Sequence, residues 1–287
     1  MLYNAMKRQL PNENYHQDKT LEKFVQAGEK VTAIFTDGDR QAGDMLIGAD
    51  GPTSSVRQQL LPTYEPKYAG YVGYRGLVDE SDLDSETAEI LTERFVFYQF
   101  ENSHILQYVI PGENESLAPS ERRFNWVWYV NYDEETELPA RLTDKNGRRR
   151  QHSIPPGMMS PAVEQQMRDY ANQMLAEPFQ KLIAATKEPF VQSILDLGVP
   201  QMAFDRVALV GNAAFIPRPH TAASASKAAA NAIALAESLV DHNHDIPKAL
   251  KAWEHDQLAL GMHLWKHGQS LGDRSQFTYG KGRSETV

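Results

Sequence analysis

An apolar run, Val207 to Val210, stops at Gly211 and Asn212; a proline-bracketed loop follows, and the pattern then starts a helix near Thr221 that continues through Ala236. No other stretch restricts the fold as strongly. Strand, glycine turn and helix N-terminus in succession turn backbone N–H groups toward an anionic or electron-rich ligand. A second stretch, Asp44 to Arg57, has the same logic. Its strand ends at Gly48-Ala49, Asp50-Gly51 makes a turn, and Ser54 is placed to cap a short helix, Ser54 to Leu61, that holds Arg57.

Between these stretches the character changes. Residues 1–24 open with a helix-like pattern, Leu2, Met6 and Leu10 on one face, and then suggest short strands at Tyr15-His16 and Thr20 to Phe24. Val31 to Thr36 and Gln41 to Ile47 read as two strands joined at Asp37-Gly38-Asp39. From Tyr68 to Tyr132 the chain is rich in aromatic and β-branched residues. Strands are expected at Tyr71 to Val78, Phe95 to Phe100 with His104 to Ile110, and Phe124 to Tyr132. A polar connection over 138–160 leads to helices from Pro161 and from Pro178 to Thr186, and the tail carries one more, Pro247 to Leu271. The order is therefore α/β, then an antiparallel sheet with helices, then α/β again.

Composition removes several function classes. No cysteine is present, which excludes disulfides, thiolate catalysis and Cys-ligated metal, and suits a cytoplasmic location. A net charge of −9 disfavours nucleic acid as a partner, and the basic cluster Lys145 to Arg150 reads as a solvated loop. The longest low-charge stretch, Thr221 to Val240, is too polar for a membrane, and the N-terminus has no apolar core followed by a cleavage site. His263 and His267 are spaced i,i+4, but no carboxylate completes a set, so no metal is expected.

Together the two turn segments resemble the second and third fingerprints of the FAD-dependent aromatic-ring monooxygenases. Asp50, Gly51, Ser54 and Arg57 fall on the family's D-G-x-x-S-x-x-R pattern, which implies that they bind the cofactor, and Gly211 on its G-D pair, with Asn212 in place of the carboxylate that bonds a ribityl hydroxyl. Pro219 matches the proline before the family's flavin-facing loop. Ala222, Ala223, Ser224 and Ser226 occupy that loop, Ala222 and Ser224 at its glycine positions and Ser226 at its asparagine. Backbone donors there need no glycine if φ is negative. The string Pro217 to Ser224, together with Pro66 to Gly76 and Tyr15-His16, is similar to one branch, the 2,6-dihydroxypyridine 3-hydroxylase-like enzymes.

The resemblance implies an α/β (α+β) fold. In it an incomplete FAD-binding Rossmann-like domain, residues 1–62 and 199–287, is interrupted by a mostly antiparallel substrate-binding sheet, residues 63–198. It implies FAD as cofactor, NAD(P)H as co-substrate, O2 and a small aromatic or heteroaromatic ring as reactants, and a homodimer. His220 is either a loop histidine satisfied by backbone or a group that binds a substrate oxygen or deprotonates a ring hydroxyl. Arg218 would hold an anionic ring or a cofactor phosphate. Tyr74 and Arg75 come from one strand and point to opposite faces, so at most one reaches a pocket; Tyr74 is taken as the catalytic candidate. The aromatic run Phe95, Phe97, Tyr98, Phe100, Trp126, Trp128 and Tyr129 is either sheet core or the lining of a ring cavity.

One fingerprint is not found: no G-x-G-x-x-G occurs in the 287 residues. In the family that unit grips the FAD pyrophosphate. The expectation is a truncated product, a wrong start or half of a split flavoprotein, with little FAD affinity and negligible turnover on its own.

Overall fold

The computed structural model describes residues 2–277 and divides into two compact units. The first comprises the chain up to Lys67 together with Leu195–Leu271; the second comprises Tyr68–Ile194 with the stretch from Gly272. The sequence pattern places these boundaries at 62/63 and 198/199 and keeps the whole tail with the first unit. The end of the tail groups instead with the second, where Asn131 Nδ2 donates to the Gln276 carbonyl at 2.6 Å.

The first segment opens with α1 (Leu2–Lys7), whose Met6 is exposed. An antiparallel meander follows: β1 (Leu21–Ala27), β2 (Lys30–Phe35) and β3 (Arg40–Gly43), burying Phe24 and Val31. Tyr15-His16 forms no strand. The returning strand expected over 41–47 is broken after Gly43. Its second half, β4 (Leu46–Gly48), leaves the meander for a different sheet. β4 then turns into α2 (Ser55–Leu60). Gly48 is required there, because a Cβ would stand 2.9 Å from the Val56 Cβ.

The second unit is built on β5 (Lys67–Asp79), α3 (Ser85–Leu91), β6 (Val96–Phe100), β7 (Ser103–Ile110) and β8 (Arg123–Asn131). α4 (Leu138–Arg141), β9 (Ser153–Ile154), α5 (Pro161–Met174), α6 (Glu177–Ala185) and β10 (Phe190–Gly198) complete it. The sheet order is β10-β5-β8-β7-β6, with Tyr74 opposite Trp128 and His104 opposite Tyr129. β10 has no counterpart among the strands expected from sequence. One face is covered by α5 and α6. Val72, Tyr74, Trp126 and Trp128 lie under Val163, Met167, Phe179 and Leu182. Both indole N–H groups find hydroxyl acceptors, Trp126 on Thr186 and Trp128 on Ser103, each at 2.9 Å. Ser160 caps α5, accepting from the Val163 N–H, and Pro161 takes the first turn where its missing donor costs nothing.

The chain returns to the first unit through the last residues of β10, which pair with β13 (Phe215–Ile216). β11 (Ala203–Phe204) and β12 (Val207–Leu209) form a hairpin, and β12 lies parallel to β4: Val207 opposite Leu46, Leu209 opposite Gly48. Two helices finish the fold, α7 (Ser224–Asp241) and α8 (Ile246–Gln276). α7 begins three residues later than the sequence pattern suggests, because Pro219–Thr221 form a separate 3-10 turn.

Candidate functional site

Because β4 and β12 run parallel and in register, the turns that follow them emerge side by side. The ladder continues past β12 with Val210 N donating to the Gly48 carbonyl at 3.0 Å. The two turn segments recognised in the sequence are therefore one structural feature, at the carboxyl ends of two strands, where open α/β sheets place ligands.

The Asp50 turn is largely self-satisfied. Gly51 supplies φ +77°. Asp50 Oδ2 accepts from the Val56 N–H at 3.2 Å, and Ser54 Oγ from the Arg57 N–H at 2.9 Å. Arg57 is fully buried; its guanidinium donates to the carbonyls of Tyr64, Pro52 and Ala213. Burial lowers its pKa, with the charges of Asp50 and Glu65 opposing. The resemblance sets Ser54 and Arg57 against the cofactor. They face inward instead, because the helix cap and three orphan carbonyls engage them. Arg57 nevertheless ties one turn to the other through Ala213.

Gly211–Ala213 form a single 3-10 turn with Gly211 at φ +58°. The Gly211 N–H donates to Asn231 Oδ1 at 3.0 Å, and its carbonyl accepts from Lys227 Nζ at 2.7 Å. Lys227 and Asn231 are buried on α7, and burial pushes the lysine pKa down to about 8. Between these clamped groups, Asn212 Oδ1 is buried and has no hydrogen-bond partner among the described residues. Sequence reasoning missed Lys227 and Asn231. The signal was available: the buried stripe of α7 reads Lys227, Asn231, Leu235, two polar residues on an apolar face.

The loop after Pro217 departs from expectation at two places. Ala222 has φ +50°, not a negative value, so an L-residue occupies the left-handed conformation glycine would take without strain. Its N–H bonds the Pro219 carbonyl, Thr221 N–H the Arg218 carbonyl and Ala223 N–H the Thr221 hydroxyl. Those donors are spent locally. α7 has no side-chain cap, so the donors left for a ligand are the first-turn N–H groups of Ser224, Ala225 and Ser226. The Ser226 hydroxyl bonds the Ala223 carbonyl. Arg218 is fully buried and pairs with Asp196, Nη2 to Oδ2 at 2.6 Å. The expected grip of its guanidinium on an anionic ring or phosphate goes to Asp196 instead. His220 is half-buried in the 3-10 turn and Pro219 is exposed beside it.

In the second unit Tyr74 is 1% exposed, within the helix-covered core, its hydroxyl 3.1 Å from that of Tyr132. This overturns its choice as the residue that reaches a ring. Strand alternation gives the other face to Arg75, with Tyr71, Gly73, Tyr129 and Asn131. Arg75 Nη1 donates to Gln192 Oε1 at 2.9 Å and the group lies over Phe190. Arg75 Nε and Asn131 Oδ1 are buried with no partner among the described residues. Burial pushes the Tyr129 hydroxyl well up, with Arg75 opposing. Trp126 and Trp128 are core, whereas Phe95 and Phe97 are exposed, so the aromatic run does not form one cavity lining.

The FAD binding domain-like family matches residues 68–196. A 2,6-dihydroxypyridine 3-monooxygenase of Paenarthrobacter nicotinovorans is 34% identical over 275 residues, covering 96% of this chain and 68% of the relative. A 6-hydroxynicotinate 3-monooxygenase of Pseudomonas fluorescens is 28% identical, covering 84% of this chain. The chain spans only 56% of that second relative's length. Among solved structures, 2,6-dihydroxypyridine-3-hydroxylase from Arthrobacter nicotinovorans superposes with a TM-score of 0.91 at 32% identity, over 99% of this chain and 71% of that one. With a third of its residues shared along almost its whole length, the chain belongs to the family of FAD-dependent aromatic-ring monooxygenases.

Proposed function

We propose that the chain serves the hydroxylation of an activated aromatic or N-heteroaromatic ring of the 2,6-dihydroxypyridine kind, using FAD, NAD(P)H and O2. Asn212 carries this reading. Its buried Oδ1 has no donor among the described residues, at the end of a parallel strand and beside a left-handed glycine. Leaving a buried amide oxygen unpaired costs about 1–3 kcal/mol, and a ribityl hydroxyl would satisfy it. FAD, when bound, supplies the electron transfer between NAD(P)H and O2. Asn212 and the Gly211–Ala213 turn would hold the ribityl chain, and the uncapped α7 N-terminus would favour the electron-rich edge of the flavin. His220 would bond or deprotonate a ring oxygen.

A second reading is favoured by the absence of G-x-G-x-x-G from the 287 residues: alone they bind FAD weakly and do not turn over. Losing three charge-assisted contacts, at about 1.5–3 kcal/mol each, weakens affinity by roughly three orders of magnitude or more.

The test is titration of the purified chain with FAD and FMN, followed by NAD(P)H oxidation with 2,6-dihydroxypyridine. Asn212→Ala is expected to weaken flavin binding about tenfold, roughly 1.4 kcal/mol. Flavin binding indifferent to Asn212→Ala overturns the assignment of the flavin end. Micromolar FAD affinity with substrate-dependent oxidation overturns the second reading.

A further inference from the structure

Both peptide groups of Gly211 are held by side chains one helical turn apart on α7. Lys227 Nζ donates to the carbonyl, and Asn231 Oδ1 accepts from the N–H. Asn231 is itself fixed. Its Nδ2 donates to Gln257 Oε1 at 2.8 Å, and its carbonyl accepts from Trp253 Nε1 at 3.0 Å. From the other side Arg57 Nη1 holds the Ala213 carbonyl at 2.9 Å. The backbone is thus pinned on both flanks of Asn212, whose own Oδ1 has no partner among the described residues.

Lysine is a costly residue for this task. Its ammonium is buried, forms no ion pair among the described residues, and sits in the first turn of a helix, where the dipole is already positive. A neutral donor would satisfy the Gly211 carbonyl without that penalty. What a charged donor adds is strength: charge-assisted hydrogen bonds are about twice as strong as neutral ones. We infer that Lys227 and Asn231 are positioning residues that clamp Gly211 so that the Asn212 amide is presented to a polyhydroxylated ligand chain. The inference rests on the flavin reading above and extends it to residues that touch no ligand themselves.

A double-mutant cycle tests it. The full 287-residue chain, labelled with ¹⁵N at glycine and asparagine, is titrated with FMN into the millimolar range, following the Gly211 amide and the Asn212 side-chain NH2. Lys227→Met is expected to weaken FMN binding about tenfold while the chain stays folded at the titration temperature, and Lys227→Arg to restore most of the loss. In an Asn212→Ala background Lys227→Met should cost less than about twofold, because its effect runs through Asn212. Equal losses in both backgrounds overturn the inference. So does FMN binding that responds to Asn212→Ala and not to Lys227→Met. No FMN binding by the unaltered chain removes the flavin reading and this inference with it. If Lys227→Met does not fold, Lys227→Gln carries the cycle, because it keeps a donor and removes the charge. It is expected to lose about threefold where Asn212 is intact and nothing measurable in the Asn212→Ala background.

Discussion

At the scale of single residues, Ala222 carries local backbone strain. Its φ of +50° places a Cβ where glycine has none, at a cost of about 1–2 kcal/mol. Ala222→Gly should therefore raise stability by roughly 0.5–1 kcal/mol after the entropy of the unfolded glycine is counted, measured by urea denaturation. His104 offers a pH-dependent case. Its Nδ1 lies 2.6 Å from Ser275 Oγ and 2.8 Å from Gln276 Nε2, and burial pushes the pKa down to about 4. The unfolded chain binds this proton near pH 6.5 and the folded chain does not. Stability attributable to His104 is thus whole above about pH 6.5 and falls as pH drops toward about 4, by on the order of 3 kcal/mol. His104→Gln should flatten melting temperature against pH in that window. The residues of the candidate site were only half legible in sequence. Gly211 and Asn212 declare themselves, because an apolar strand ends on them. The Arg218–Asp196 pair and the bond from Arg57 to the Ala213 carbonyl were not legible, since they join residues 22 and 156 positions apart and no local pattern encodes them.

At the scale of elements, the strands rich in aromatic and β-branched residues were legible, and so were α5, α6 and α8 with proline in their first turn, whereas the short α4, also with a first-turn proline, was read as part of a polar connection. β10 was not: Phe190–Gly198 alternates poorly, because one end belongs to the second unit's sheet and the other pairs with Phe215 and Ile216. The 41–47 strand misled for a related reason. Sequence pattern shows that residues are extended, but not that partners change between Gly43 and Leu46. The contact between β4 and α2 is checked at Gly48. A methyl group there meets Val56 Cβ and Cγ1 at 2.9 Å and Leu209 at 3.0 Å. Gly48→Ala should cost about 1–3 kcal/mol by overpacking, seen as a lower urea midpoint with unchanged slope. Were stability unchanged, the close approach would not be a constraint.

At the scale of the whole molecule, each unit is assembled from two stretches of chain, and the parallel pairing of β4 with β12 joins Leu46 to Val207. That ladder spans about 160 residues of sequence. At roughly 5–20 residues per second of synthesis, β4 emerges some ten to thirty seconds before its partner exists. Through that interval Leu46 and Ile47 are an unpaired apolar edge, and the second unit's sheet is completed in between. The order of birth along the ribosome, rather than the final energy of the ladder, then governs how much chain reaches the folded state, and nascent β4 is where a holding chaperone has most to do.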